Sequence, residues 1–147
     1  TIIISMFLVT VFMNDSIAWL FGMLFGKNNR GYVRVSPNKS IAGFIGGYLG
    51  AILTCLIATF AFPQIIETQD LALKIIKAVS LGFITATAAI IGDLTESAFK
   101  RSSNKKDSGM LIPGRGGVLD SCDSILFSAP IFYIAFSLLY NPVLITA

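Results

Sequence analysis

The sequence predicts an all-α polytopic integral membrane protein with about four transmembrane helices, on three observations. Hydrophobic residues make up 54% of the 147 positions and charged residues 13%, roughly half the charged share of a soluble domain. Apolar stretches of about 20 residues, the length needed to cross a bilayer, recur four times between polar connections. The basic residues are segregated: Lys27, Arg30, Arg34 and Lys39 fall in one connection, and Lys100, Arg101, Lys105, Lys106 and Arg115 in another. The stretch 63–70 between them carries Glu67 and Asp70 and no base. Four spans put both basic loops, about 27–40 and 100–117, on one side of the membrane. The excess of Lys and Arg marks that side as cytoplasmic.

Residues 1–26 are apolar except at Asn14, Asp15 and Ser16. The break reads either as a loop between two short interfacial helices or as a polar site within one helix. The second reading is favoured, because ionisable residues inside a span are costly and are kept for function. Trp19 suits an interfacial or a packing role. The chain starts at Thr1 and lacks the basic n-region of a signal peptide. It is expected to be the C-terminal portion of a longer chain, with residues 1–147 forming one transmembrane domain.

Residues 27–40, KNNRGYVRVSPNKS, form a polar loop. Pro37 disfavours helix at the residue before it, and Ser40 is placed to cap the next helix. Residues 41–62 are uncharged and make the second span. Gly43 and Gly47, and Gly46 and Gly50, are four apart, a spacing that permits close helix packing. The third span is expected from about Leu71 to Ile91. Lys74 and Lys77 lie in its first two turns, where they can snorkel to the interface. The last span is expected from about Val118 to the C-terminus. Pro130 is expected to kink it, and Asn141-Pro142 to mark its outer end.

The chain has no histidine, which excludes His-ligated zinc and Ser-His-Asp chemistry. Cys55 and Cys122 are expected at different depths, so neither a disulfide nor a cysteine metal site is expected. The polar centre is 92–123, with five of the acids: Asp93, Glu96, Asp107, Asp120 and Asp123. Asp93, Glu96 and Lys100 are spaced three and four apart, along one helix face. Asp120 and Asp123 lie in the first turn of the last span, where the helix dipole favours negative charge. The two helix ends could converge on a hard cation with oxygen ligands, Mg²⁺ being the best fit, with Asp93, Asp120 and Asp123 as ligands. The competing reading is N-capping for Asp120 and Asp123 and salt bridging for the others. Capping accounts for one acid of a pair but not for a matching pair on the neighbouring helix. Gly114-Arg115-Gly116-Gly117 lies just before that helix, where glycines let backbone N–H groups approach phosphate. An ordinary turn has the same composition. The cations of 27–40 serve topology and anionic head groups as well as they serve phosphate contact.

Longer patterns are more specific. Ser97-Ala98-Phe99-Lys100-Arg101 is followed by Lys106-Asp107-Ser108-Gly109, Ile112-Pro113-Gly114, Gly116-Gly117, Asp120 and Asp123. Upstream stand Asp15, Ala18, Gly22, Phe25-Gly26-Lys27, Ser36-Pro37-x-Lys39-Ser40 and Gly43. Together these resemble the phosphatidate cytidylyltransferase family, also called CDP-diacylglycerol synthases, over roughly the C-terminal half of that family's chain. The resemblance implies an integral membrane enzyme of phospholipid biosynthesis, often a homodimer. It would transfer CMP from CTP to phosphatidic acid, releasing pyrophosphate, with Mg²⁺ required and no nucleic-acid partner.

The resemblance also implies residue roles. Asp93, Lys100, Arg101, Lys106, Asp107 and Arg115 become catalytic candidates. Asp15, Lys27, Ser36, Pro37, Lys39, Ser40, Gly114, Gly116 and Gly117 become substrate-binding candidates. Lys100, Arg101, Lys106 and Arg115 would neutralise the pyrophosphate and the lipid phosphate. The sequence departs from the family pattern at four positions: Arg115 replaces the usual histidine, Ser121 an arginine, Cys122 an apolar residue or threonine, and Ala42 a glutamate. Two other readings stand beside this one: a CTP-using lipid-alcohol kinase, and a non-catalytic membrane protein or ion pathway that keeps the fold.

Overall fold

The first helix, α1 (Ile2–Phe25), runs unbroken through Asn14, Asp15 and Ser16. An unbroken helix keeps every backbone group hydrogen-bonded internally, which a loop at membrane depth would not. The computed structural model describes residues 2–33, 35–63, 70–102 and 118–140, with backbone alone for 118–121.

Helix α2 (Ile41–Ala61) begins at Ser40, whose extended backbone and Oγ, accepting from the Gly43 N–H at 3.0 Å, form the expected cap. Its glycine face packs on α1. A Cβ at Gly46 would lie 2.6 Å from Phe21 Cβ, and one at Gly50 would lie 2.6 Å from the Met13 carbonyl oxygen. Lipid tails are as apolar as the helix surfaces, so van der Waals fit of this kind is what holds membrane helices together.

Helix α3 (Leu71–Ser102) is longer than the sequence pattern suggested. The expected end near Ile91 is where the apolar run stops, but the helix continues to Ser102. No proline or glycine interrupts it after Gly92. Glu96 and Lys100 form an i,i+4 ion pair, and Lys100 and Arg101 sit where the dipole favours cations. Lys100 and Arg101 therefore belong to the helix and not to the following loop. Helix α4 (Val118–Tyr140) carries Pro130 inside it, and the expected outer end at Asn141-Pro142 lies outside the described residues.

All four helices are long and apolar enough to cross a membrane, and the protein is an all-helical, polytopic membrane protein. Phe7 and Val11 of α1, Cys55 of α2, Leu81 of α3, and Phe132 and Phe136 of α4 share one core. Two buried threonine hydroxyls are satisfied within their own helices: Thr10 donates to the Met6 carbonyl and Thr85 to the Leu81 carbonyl. Both cysteines are free. Lys77 reaches to 6.0 Å from the centre of the Tyr140 ring, so it packs at the end of the bundle away from the candidate site.

Candidate functional site

The site is built where the connection after α1 folds back over the bundle. Gly26 ends α1, and its N–H donates to the Gly22 carbonyl at 3.1 Å. A Cβ there would lie 2.1 Å from that same oxygen, so only glycine fits. Gly31 has a φ of 87°, the left-handed region that glycine tolerates. Arg30 and Ser40 pair as an isolated antiparallel bridge. The Gly31 N–H donates to the Pro37 carbonyl at 3.0 Å, and the Ile41 N–H to the Asn29 carbonyl at 3.1 Å. Arg30 Nη2 donates to the Gly22 carbonyl at 3.0 Å, tying the loop to α1. This closed loop delivers Lys39 to α3, where its ammonium pairs with the Asp93 carboxylate.

Beneath Lys39 lies a pocket of about 400 Å³. Its polar wall is Asn14 and Asp15 of α1, Arg30, Asn38, Lys39 and Ser40 of the loop, and Asp93 of α3. Its apolar wall includes Ala18, Trp19, Met23, Phe44 and Ile90. A third carboxylate stands close by. Gly92 has no side chain, so α4 approaches until the Asp123 carbonyl oxygen lies 3.0 Å from where a Cβ would be. Asp15, Asp93 and Asp123, from three different helices, thus sit close enough to feel one another's charge; Lys39 acts on Asp15, and Lys100 on Asp123.

The donor set can be tested against a divalent cation. Among the described residues no three acidic or cysteine side chains are placed to hold a metal ion. Asp93 and Asp123 are nevertheless two hard oxygen donors on adjoining helices, near enough to influence each other's charge. Mg²⁺ is usually held by one or two carboxylates, with water and substrate phosphates completing its shell. The residues fit a site that substrate completes, and not a preformed cage.

The sequence model of the cytidylyltransferase family matches residues 1–139. The chain belongs to the cytidylyltransferase family. It is 40% identical over 135 residues to a phosphatidate cytidylyltransferase of Thermotoga maritima, covering 90% of this chain and 48% of the relative. A Staphylococcus haemolyticus protein of the same name is 39% identical over 132 residues, covering 90% and 47%. A Haemophilus influenzae one is 40% identical over 125 residues, covering 84% and 42%. The chain spans about half the length of the curated relatives it matches.

The residues that the family resemblance singled out fall into three groups. Asp15, Lys39, Ser40 and Asp93 line the pocket together, although the Ser40 hydroxyl is engaged in its cap. Lys27, Ser36 and Pro37 do not line it. Ser36 supports Lys39 from behind, its carbonyl accepting from the Lys39 N–H at 3.1 Å. Lys100 pairs with Glu96, and Arg101 is exposed near the end of α3. Lys106, Asp107, Gly114, Arg115, Gly116, Gly117 and the Asp120 side chain lie outside the described residues. Asn14, Arg30, Asn38 and Trp19 are wall residues of this cytidylyltransferase-family pocket that were not among the catalytic, substrate-binding or metal candidates from sequence. Asp15, Ala18, Trp19 and Gly22 recur at helical spacing, which is the signal that marks their common face.

Proposed function

We propose that the whole protein transfers CMP from CTP to phosphatidic acid, giving CDP-diacylglycerol and pyrophosphate. Family membership and the names of its relatives support this reading. The observation that carries it is the meeting of Asp15, Lys39 and Asp93, from α1, the loop and α3, on one pocket at the basic end of the bundle. A phosphate oxygen of the lipid attacks the α-phosphorus of CTP, and the bond to the pyrophosphate oxygen breaks. The attacking phosphate is already ionised, so the reaction needs positioning and charge neutralisation more than a strong base. Lys39 and Arg30 are the described cations on the wall and would hold phosphate oxygens. Asp93 and Asp123, with Asp120, would hold Mg²⁺. When bound, Mg²⁺ supplies neutralisation and orientation at the phosphate oxygens. Lys39 leaves Asp93 as phosphate enters, exchanging one anionic partner for another. Trp19, Met23 and Phe44 limit water at the reacting centre.

The basic loop at this end supports a site on the cytoplasmic face, where a soluble nucleotide and a lipid head group can meet. The protein is further proposed to work as a homodimer, on family resemblance. Labelled CTP tests the reaction in the full-length protein. Label from the α-phosphate should enter lipid. Entry of γ-label instead would mark a lipid kinase, and entry of neither would mark a non-catalytic membrane protein.

A further inference from the structure

Asn14 stands mid-way along α1 with only 2% of its surface exposed. Burying an amide inside a membrane helix is unfavourable unless both of its ends find partners. Here only one does. Nδ2 donates to Asp15 Oδ1 at 2.9 Å, while Oδ1 is buried without a hydrogen-bond partner among the described residues. Rotating the amide by half a turn would not relieve this, because its oxygen would then face a carboxylate oxygen. The bond to Asp15 therefore dictates the orientation and leaves the amide oxygen unpaired.

The seat for that oxygen is made by α2. A Cβ at Gly47 would lie 2.9 Å from Asn14 Oδ1 and 3.5 Å from its Cγ, so the absence of a side chain there is what admits the amide. Lys39 and Asp93 line the same pocket as Asp15. Without the bond from Asn14, the Asp15 carboxylate would be free to turn toward that lysine. We infer that Asn14, seated over Gly47, is a positioning residue: it holds Oδ1 of Asp15 and leaves Oδ2 to accept from a donor group of the substrate in the pocket. Asn14 acts through Asp15 and does not itself touch substrate. The inference rests on the reading above that Asp15 binds substrate.

The test uses the full-length protein with Asn14→Ala, Asp15→Ala and the double variant, measuring KM for CTP and for phosphatidic acid. Asp15→Ala should raise one of the two. Asn14→Ala should raise the same one by about tenfold, the scale of a hydrogen bond to a charged group, with kcat nearly unchanged. The double variant should be no worse than Asp15→Ala alone, since two residues acting as one unit are not additive. Gly47→Ala, which displaces the amide, should reproduce the KM change. If Asn14→Ala does not assemble, Asn14→Leu removes the donor at similar volume and takes its place. Losses that multiply, or a fall in kcat for both substrates alike, would overturn the inference. A structure of the Asn14 variant decides it independently of activity: the Asp15 carboxylate should turn toward Lys39, and an unmoved carboxylate refutes the role. Absence of CMP transfer in the parent protein counts against the proposed reaction, while the structural comparison still judges Asn14.

Discussion

Gly92→Ala should damage the site without touching any charged group. A Cβ at Gly92 would lie 2.6 Å from Phe127 Cβ and 3.0 Å from the Asp123 carbonyl oxygen. Carbon atoms pack best at about 3.5–4.0 Å, so α3 and α4 must separate locally by about 1 Å. The displaced segment contains Asp93 on one helix and Asp123 on the other. Misplacing reacting groups by about 1 Å costs on the order of a hundredfold in rate, and overpacking costs about 1–3 kcal/mol of stability. Gly82→Ala is the control. Its Cβ would lie 2.6 Å from Ile52 Cα, an equal steric defect between α2 and α3, but about 16 Å from Asp93 along the helix. Both variants should lose comparable stability, measured by denaturation in mixed micelles. CMP transfer in the full-length protein should fall about a hundredfold for Gly92→Ala and only slightly for Gly82→Ala. Equal losses of activity in the two variants, or near-parental activity in Gly92→Ala, would refute the idea that this contact sets the Asp93–Asp123 geometry.

Asp123→Asn should abolish CMP transfer while leaving folding and membrane insertion nearly intact, because asparagine keeps the size and an oxygen that can accept from the Ser124 N–H, with partial rescue by raised Mg²⁺ or by Mn²⁺; near-normal product formation would show that the carboxylate is dispensable. Lys39→Met and Asp93→Asn should each destabilise the protein, and the double variant should lose less than their combined effect, because the second change removes a partner already stranded by the first; simple additivity in a denaturation cycle would show that the ion pair contributes nothing. In a background with Cys55 and Cys122 replaced by alanine, a cysteine at Asn28 should react with an impermeant reagent only from the cytoplasmic side and one at Gln69 only from the other; labelling of both from one side would contradict the four-span topology.

The four spans were legible because a bilayer demands about 20 apolar residues wherever a helix crosses it, and that demand is written in composition alone. The turn into α2 was legible for a similar reason: Ser40 is a local device acting on an N–H three residues away. The end of α3 was legible only in part: Asp93, Glu96 and Lys100 read as one helix face, but hydropathy stops near Ile91, whereas helix continuation is a backbone property that charged residues support through pairs such as Glu96–Lys100. In the site, Asp15, Asp93 and Asp123 were conspicuous as ionisable groups at or near a span, and Asp93 was expected to converge with Asp123, whereas Lys39 was marked only by the family resemblance.

Which of those groups meet was decided elsewhere. Asp93, Glu96 and Lys100 share a helix face, yet Lys100 takes Glu96 and Asp93 takes Lys39, 54 residues away in the chain. Asn14 was read with Asp15 and Ser16 as a polar site within the first span, but its own role depends on Gly47 of another helix. Sequence alone thus determined the spans, the basic end of the bundle and the set of charged residues available, because each of these follows from residues near one another in the chain. Tertiary structure alone decided the partners, because they are set by how closely glycine-faced helices approach, and that distance depends on both surfaces at once.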